Sequence, residues 1–191
     1  MLRFLLISTF ILLVFSYTNP VQGVRDSPDP GVLYHEGAYY AVTTGGWDNH
    51  AFPIWKCETG VNFTQAGWVF PTHPSWTRCC DYWAPELHII NQKFLVYYTA
   101  RDNNGKLSIG SAIADNILGP YVDKGSPLVT NASEGVIDAT VLRQGVNHYL
   151  VYKVDGNAHG HSTEFWAVQL DPTGMSTRGN PQLLLKNDQA W

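Results

Sequence analysis

The sequence predicts an all-β protein built from repeated sheets, a β-propeller of which about three blades are present. Three observations predict it. No long stretch keeps the i, i+3, i+4, i+7 apolar spacing of an amphipathic helix. Short β-branched and aromatic runs alternate instead with Gly, Asn, Asp and Pro, which is the pattern of strands and turns. Three of those runs resemble one another at a fixed period, the mark of a repeat architecture.

The first run is Val32 to Thr43, the second Leu87 to Tyr98 and the third Val141 to Tyr152. Each reads as a strand, a polar turn and an aromatic-aliphatic strand. Tyr39, Phe94 and Tyr149 are read as equivalent, with 55 residues in both intervals. Phe52 to Cys57 and Gly67 to Phe70 complete the first unit as further strands. Lys106 to Ala112 and Tyr121 to Asp123 complete the second, and Glu164 to Leu170 and Gln182 to Leu185 the third. Repeats made only of strands, several to a unit, read as propeller blades, and rings close at about four to eight of them. The alternative is a β-sandwich with similar hairpins.

The start of the chain reads as a secretory signal peptide over residues 1–23. Met1-Leu2-Arg3 is positive, Phe4 to Tyr17 is almost wholly apolar, and Val21-Gln22-Gly23 offers a cleavage site. The apolar run is short for a bilayer span, although an uncleaved anchor is the alternative. Residues 24–191 then form one domain, at the usual 100–200 or so residues each. The expected location is extracellular.

The formal net charge is −4 with no clustered Lys or Arg, which argues against nucleic acid and anionic membranes as partners. Seven Trp, ten Tyr and eight Phe against 15% charged residues suit a β-rich protein that stacks sugars. Three cysteines, Cys57, Cys79 and Cys80, predict one disulfide in an oxidising compartment. The expected bond joins Cys57 to Cys79 or Cys80, with a vicinal Cys79–Cys80 bond as the other option. Their spacing does not suggest a metal site. Asn62-Phe63-Thr64 and Asn131-Ala132-Ser133 are N-glycosylation acceptors, expected at the surface.

An acid precedes the first strand of each repeat: Asp29, Glu86 and Asp138. First strands line a propeller's channel, so the repeat would gather these carboxylates at one mouth. Carboxylates held close together have split pKa values, as glycoside hydrolysis requires of its acid and base. Taken singly, each has a plainer reading as a turn residue, a strand cap or half of a surface ion pair.

"SPDPGVLYHEGAYYAVTTG", "YWAPELH", "KLSIGSAIADNILGPYVDKGSPLV" and "GVIDATVLRQGVNHYLVYK" together resemble the family 43 glycoside hydrolases. The resemblance runs from Arg25 to Trp191. It implies a five-bladed β-propeller acting on arabinose- and xylose-containing plant polysaccharides by inversion. Asp29, in Pro28-Asp29-Pro30-Gly31, matches the general base, with Asp26 a nearby rival. Asp138, in Ile137-Asp138-Ala139, matches the aspartate that orients the acid and raises its pKa. Trp83-Ala84-Pro85 matches a wall of the sugar pocket, and the resemblance makes Trp83, Ala84 and Ile137 substrate-binding. Glu86 takes no catalytic part in it.

The family's general acid is a glutamate at the head of the fourth blade. No matching motif occurs here, since Glu134 comes too early and Glu164 falls inside the third blade. The resemblance therefore implies a base without its acid in this chain. It implies no required cofactor and allows for a structural calcium ion in the full-length protein. The expected partners are arabinan, arabinoxylan and xylan. His159 and His161 are expected in an exposed loop rather than as metal ligands. Two other readings are carried: a non-catalytic secreted glycan-binding propeller or inactive fragment, and a neighbouring propeller family acting on fructose units through a nucleophilic aspartate.

Overall fold

The computed structural model describes residues 23–24, 26–46, 48–131 and 133–187. Gly23 apart, the leader expected over residues 1–23 lies outside them. No helix among the described residues is long and apolar enough to cross a membrane.

The described strands form three antiparallel sheets in chain order. The first holds β1 (Gly31–His35), β2 (Ala38–Val42), β3 (Ala51–Cys57) and β4 (Thr64–Phe70), in that spatial order. The second holds β5 (Thr77–Ile90), β6 (Lys93–Asp102), β7 (Leu107–Ala114) and β8 (Val122–Asp123), with β9 (Val129–Thr130) also paired to β7. The third holds β10 (Val136–Gln144), β11 (Asn147–Val154), β12 (Glu164–Leu170) and β13 (Thr177–Lys186). A 3-10 turn, Gly156–His159, joins β11 to β12. Each sheet is thus a meander, the form of a propeller blade.

Local chemistry sets the first hairpins. Glu36-Gly37 and Asn91-Gln92 all have positive φ, the two-residue turn whose twist matches antiparallel strands. The third hairpin turns at Gly145-Val146, between the paired Gln144 and Asn147. Phe94 pairs with Ile89 and Tyr149 with Leu142. Counted from the turns, Tyr149 is therefore the equivalent of Leu95, and the residue matching Phe94 is His148. The period is 55 residues from the first sheet to the second and 54 from the second to the third.

The sheets stack face against face, with one apolar core in each seam. Between the first and second lie Tyr40, Val42, Phe52, Phe70, Trp76, Tyr82, Phe94, Val96 and Tyr98. Between the second and third lie Ile90, Leu95, Tyr97, Ile109, Val136, Leu150 and Tyr152. Alternation along β6 divides its side chains: Phe94, Val96 and Tyr98 face back, Leu95 and Tyr97 forward. This strand is buried on both faces and reads as a continuous apolar run. At Gly31 the first two sheets meet backbone to backbone. A Cβ there would lie 2.4 Å from the Pro85 carbonyl oxygen, so only glycine fits. The outer face of the first sheet leaves Val32, Tyr34 and Tyr39 exposed, and the third sheet leaves Leu142 and Leu184 exposed.

Candidate active site

Each sheet has the same irregularity at the head of its first strand. Pro28 bonds Thr44, Trp83 pairs with Thr99, and Ile137 pairs with Lys153. The next regular pairs are Gly31 with Val42, Glu86 with Tyr97, and Thr140 with Val151. The first strand has one extra residue in between, a β-bulge, which re-aims the side chain it carries. The bulged residues are Asp29, Ala84 and Asp138, with φ of 51°, 43° and 55°. Each lies seven residues before the first turn residue of its hairpin, Glu36, Asn91 or Gly145.

Two of the three acids expected to align therefore do so. The position matching Asp29 and Asp138 in the second sheet is Ala84, not Glu86. Glu86 lies past the bulge, on regular β5. It is half-buried, and burial pushes its carboxyl pKa up. Its neighbour His88, 3.6 Å away, is pushed down to about 4, first by burial and then by His148. At neutral pH His88 is uncharged, so this contact is not an ion pair.

The residues set opposite the heads, Thr44 just past β2, Thr99 in β6 and Lys153 in β11, were missed by motif reading. They obey the same 55- and 54-residue spacing as the heads, which is the signal that would have found them. Thr44 Oγ1 donates to Asp29 Oδ2 at 2.7 Å and accepts the Ala84 N–H at 2.8 Å. An amide N–H can only donate, so it fixes the hydroxyl as acceptor there and directs the hydroxyl proton at Asp29. Thr99 Oγ1 likewise accepts the Asp138 N–H at 3.0 Å. Lys153 Nζ donates to Asp138 Oδ2 at 2.7 Å. The repeat thus carries a latch: the residue opposite the head holds its own sheet's head carboxylate, the next sheet's head amide, or both.

Asp29 and Asp138 are exposed, while Trp83, Ala84 and Ile137 are half-buried beside them in the same head segments. Asp26 is exposed three residues upstream and takes no part in the Thr44 bonds. A cleft of about 540 Å³ lined by His35, Glu36, Phe94 and Asn116 lies at the hairpin-turn end of the sheets, away from these heads. His159 and His161 are exposed, and His161 Nδ1 lies 2.8 Å from Glu134 Oε1. Among the described residues no group of three or more His, Cys, Asp or Glu is placed to hold a metal ion.

The cysteine expectation is corrected. Cys79 and Cys80 bond to each other and Cys57 is free and buried. Cys57 ends β3, packed beside Thr59. The two others lie exposed in an insertion between the Thr77–Asp102 and Tyr82–Ala100 pairs. Arg101 braces that insertion through Asp81 at 2.7 Å. After mild reduction, native-state alkylation is expected to label Cys79 and Cys80 and to spare Cys57 until denaturation. Peptide mass spectrometry reads this directly, and native labelling of Cys57 would contradict it.

The fold and these heads define a class: stacked propeller blades whose first strands each carry a bulged head, acidic in the first and third sheets. Residues 17–191 match the family described as "Glycosyl hydrolases family 43", and the chain belongs to that family. An extracellular exo-α-(1→5)-L-arabinofuranosidase of Streptomyces avermitilis is 24% identical, over 92% of this chain and 37% of its own length. An extracellular endo-α-(1→5)-L-arabinanase of Bacillus subtilis is 24% identical, over 80% and 49%. A thermostable family-43 glycoside hydrolase of known structure superposes with a TM-score of 0.80 at 30% identity, over 92% of this chain and 58% of that one. The chain thus spans less than half the length of these two curated relatives, and the sheets are part of the five-bladed propeller of the family.

Proposed function

We propose that residues 24–191 are the first three blades of a secreted, inverting glycoside hydrolase acting on arabinan, arabinoxylan or xylo-oligosaccharides. The observation that carries this is Asp29 at the head bulge, one oxygen held by Thr44. In this reading the other oxygen takes a proton from the water that attacks the anomeric carbon. The acid is a glutamate outside this sequence, at the head of the blade stacked next on the third sheet. Inversion needs the two carboxyls about 6.5–9.5 Å apart to admit the water. Asp138 adds negative charge beside the acid and helps keep it protonated. Trp83, Ala84 and Ile137 supply the sugar-binding wall.

Support comes from family membership and from relatives that carry arabinan-cleaving names and the word extracellular. The leader over residues 1–23 carries the secretion part of the proposal. The test is a substrate panel on the full-length protein: nitrophenyl arabinofuranosides and xylosides, linear arabinan, and a fructan as control. Cleavage of at least one pentoside or pentosan and not the fructan is expected. Fructan cleavage alone, or pentosan binding with no turnover, overturns it.

A further inference from the structure

We propose that the Cys79–Cys80 disulfide forms an apolar plate near Trp83 and binds a further pentose unit of the substrate chain through that unit's C–H face. This rests on the functional reading above. The geometric argument comes from the uneven height of the three sheets. Thr44, Thr99 and Lys153 stand opposite the three heads. In the first sheet β2 stops at Val42, and in the third β11 stops at Val154. In the second sheet β5 and β6 stay paired out to Thr77 and Asp102, three residues past Thr99. At about 3.4 Å per residue, this pair of strands rises about 10 Å beyond the head. The cysteines sit on that rise, beside Arg101, on the strand that forms one edge of its sheet. Cys80 lies three residues before Trp83, at most about 11 Å along the backbone, so one sugar chain can reach both.

The insertion is a braced tip with its charges drawn aside. Four residues, Arg78 to Asp81, stand on β5 against Arg101 on β6. Across the base the hydroxyls of Thr77 and Tyr82 bond each other. Thr77 is tied in turn to the Pro74 carbonyl, by its N–H at 3.0 Å and its hydroxyl at 2.8 Å. Arg101 donates to Asp81 at 2.7 Å and to the Gly105 carbonyl at 3.0 Å. Arg78 also lies against Gly105, its guanidinium 3.4 Å from where a Cβ would stand. Both charged residues of the insertion are thus engaged on the side of β6 and the turn after it. The bonded cysteines are left exposed. A disulfide carries no hydrogen-bond donor, and its sulfurs are soft and polarisable, so this surface is better covered by C–H groups than by water. A pentose ring offers such a face, with its hydroxyls free to turn to solvent. A tip already held in place loses little further freedom on binding.

The experiment measures kcat and KM of the full-length protein on linear arabino- and xylo-oligosaccharides of two to six sugars, for wild type and the double variant Cys79→Ser, Cys80→Ser. In wild type kcat/KM should step up with the unit that reaches the plate. In the variant that step should shrink about tenfold, through KM, the low end of what one apolar contact adds to discrimination. Mild reduction of the wild type should shrink the same step and reoxidation restore it, which decides the matter if the double variant does not fold. A step of unchanged size, an equal loss at every length, or a loss carried by kcat alone overturns the proposal. If the wild type cleaves no pentose oligosaccharide of any length, the functional reading itself falls. If it cleaves them and the variant keeps the wild-type dependence on length, only the role of the disulfide falls.

Discussion

Asp29→Asn is expected to lower kcat of the full-length protein on linear arabinan by at least about a hundredfold, the scale of a lost general base. The amide keeps the size of the side chain and its bond from Thr44, so folding and KM should change little. Asp26→Asn is the internal control. It lies in the same Pro-rich stretch but outside the bulge, and its rate should stay within about twofold of wild type, as for a surface change remote from the chemistry. Thr44→Val should fall between them, because it unpairs the Ala84 amide and frees the Asp29 carboxylate to rotate. Thr44→Ser should recover most of the loss. If Asp26→Asn were the inactive variant, the assignment of the base would be wrong.

The largest expected effect on stability is at Phe52. Its side chain is fully buried in the seam between the first and second sheets. Its ring packs against Phe70, Tyr82 and Tyr98, with centroids 6.1, 5.6 and 5.2 Å away. Phe52→Ala removes all three contacts and leaves a cavity, at a cost of about 3–5 kcal/mol. Against a typical total of about 5–15 kcal/mol, that removes a large share of the stability. The damage should also reach the candidate site. The Phe52 N–H bonds the Gly45 carbonyl and the Gly45 N–H bonds that of Tyr82, so the segment carrying Thr44 is anchored through this core. Urea unfolding of wild type and variant measures it, and a loss below about 1 kcal/mol would mean that the seam does not hold the sheets together.

Strands, hairpins and their repetition were legible because alternation and turn residues are local signals. Asp29 and Asp138 were legible as heads for a related reason, since each lies in a short motif just before a strand. The second head was misread. A bulge puts one residue more on the first strand than on its partner, so the first residue that looks like a regular strand is not the head. Glu86 was chosen as the acid nearest that strand, while the equivalent position is the uncharged Ala84. Tyr149 was misaligned because an aromatic residue stands 55 residues after Phe94, whereas the turns set that interval at 54. Thr44, Thr99 and Lys153 belong to no acid or aromatic motif. Their significance emerges only when strand pairing sets them opposite the heads. The Cys79–Cys80 bond depends on an insertion within β5 that no periodicity announces.

The most direct test of the central claim, that Asp29 activates water rather than attacking the sugar itself, is the configuration of the first product. Proton NMR of the full-length protein acting on an α-linked arabino-oligosaccharide, read before mutarotation, should show the β-anomer of the released arabinose appear first, which is inversion. The α-anomer appearing first would mean retention, and would make the carboxylate a nucleophile instead of a base.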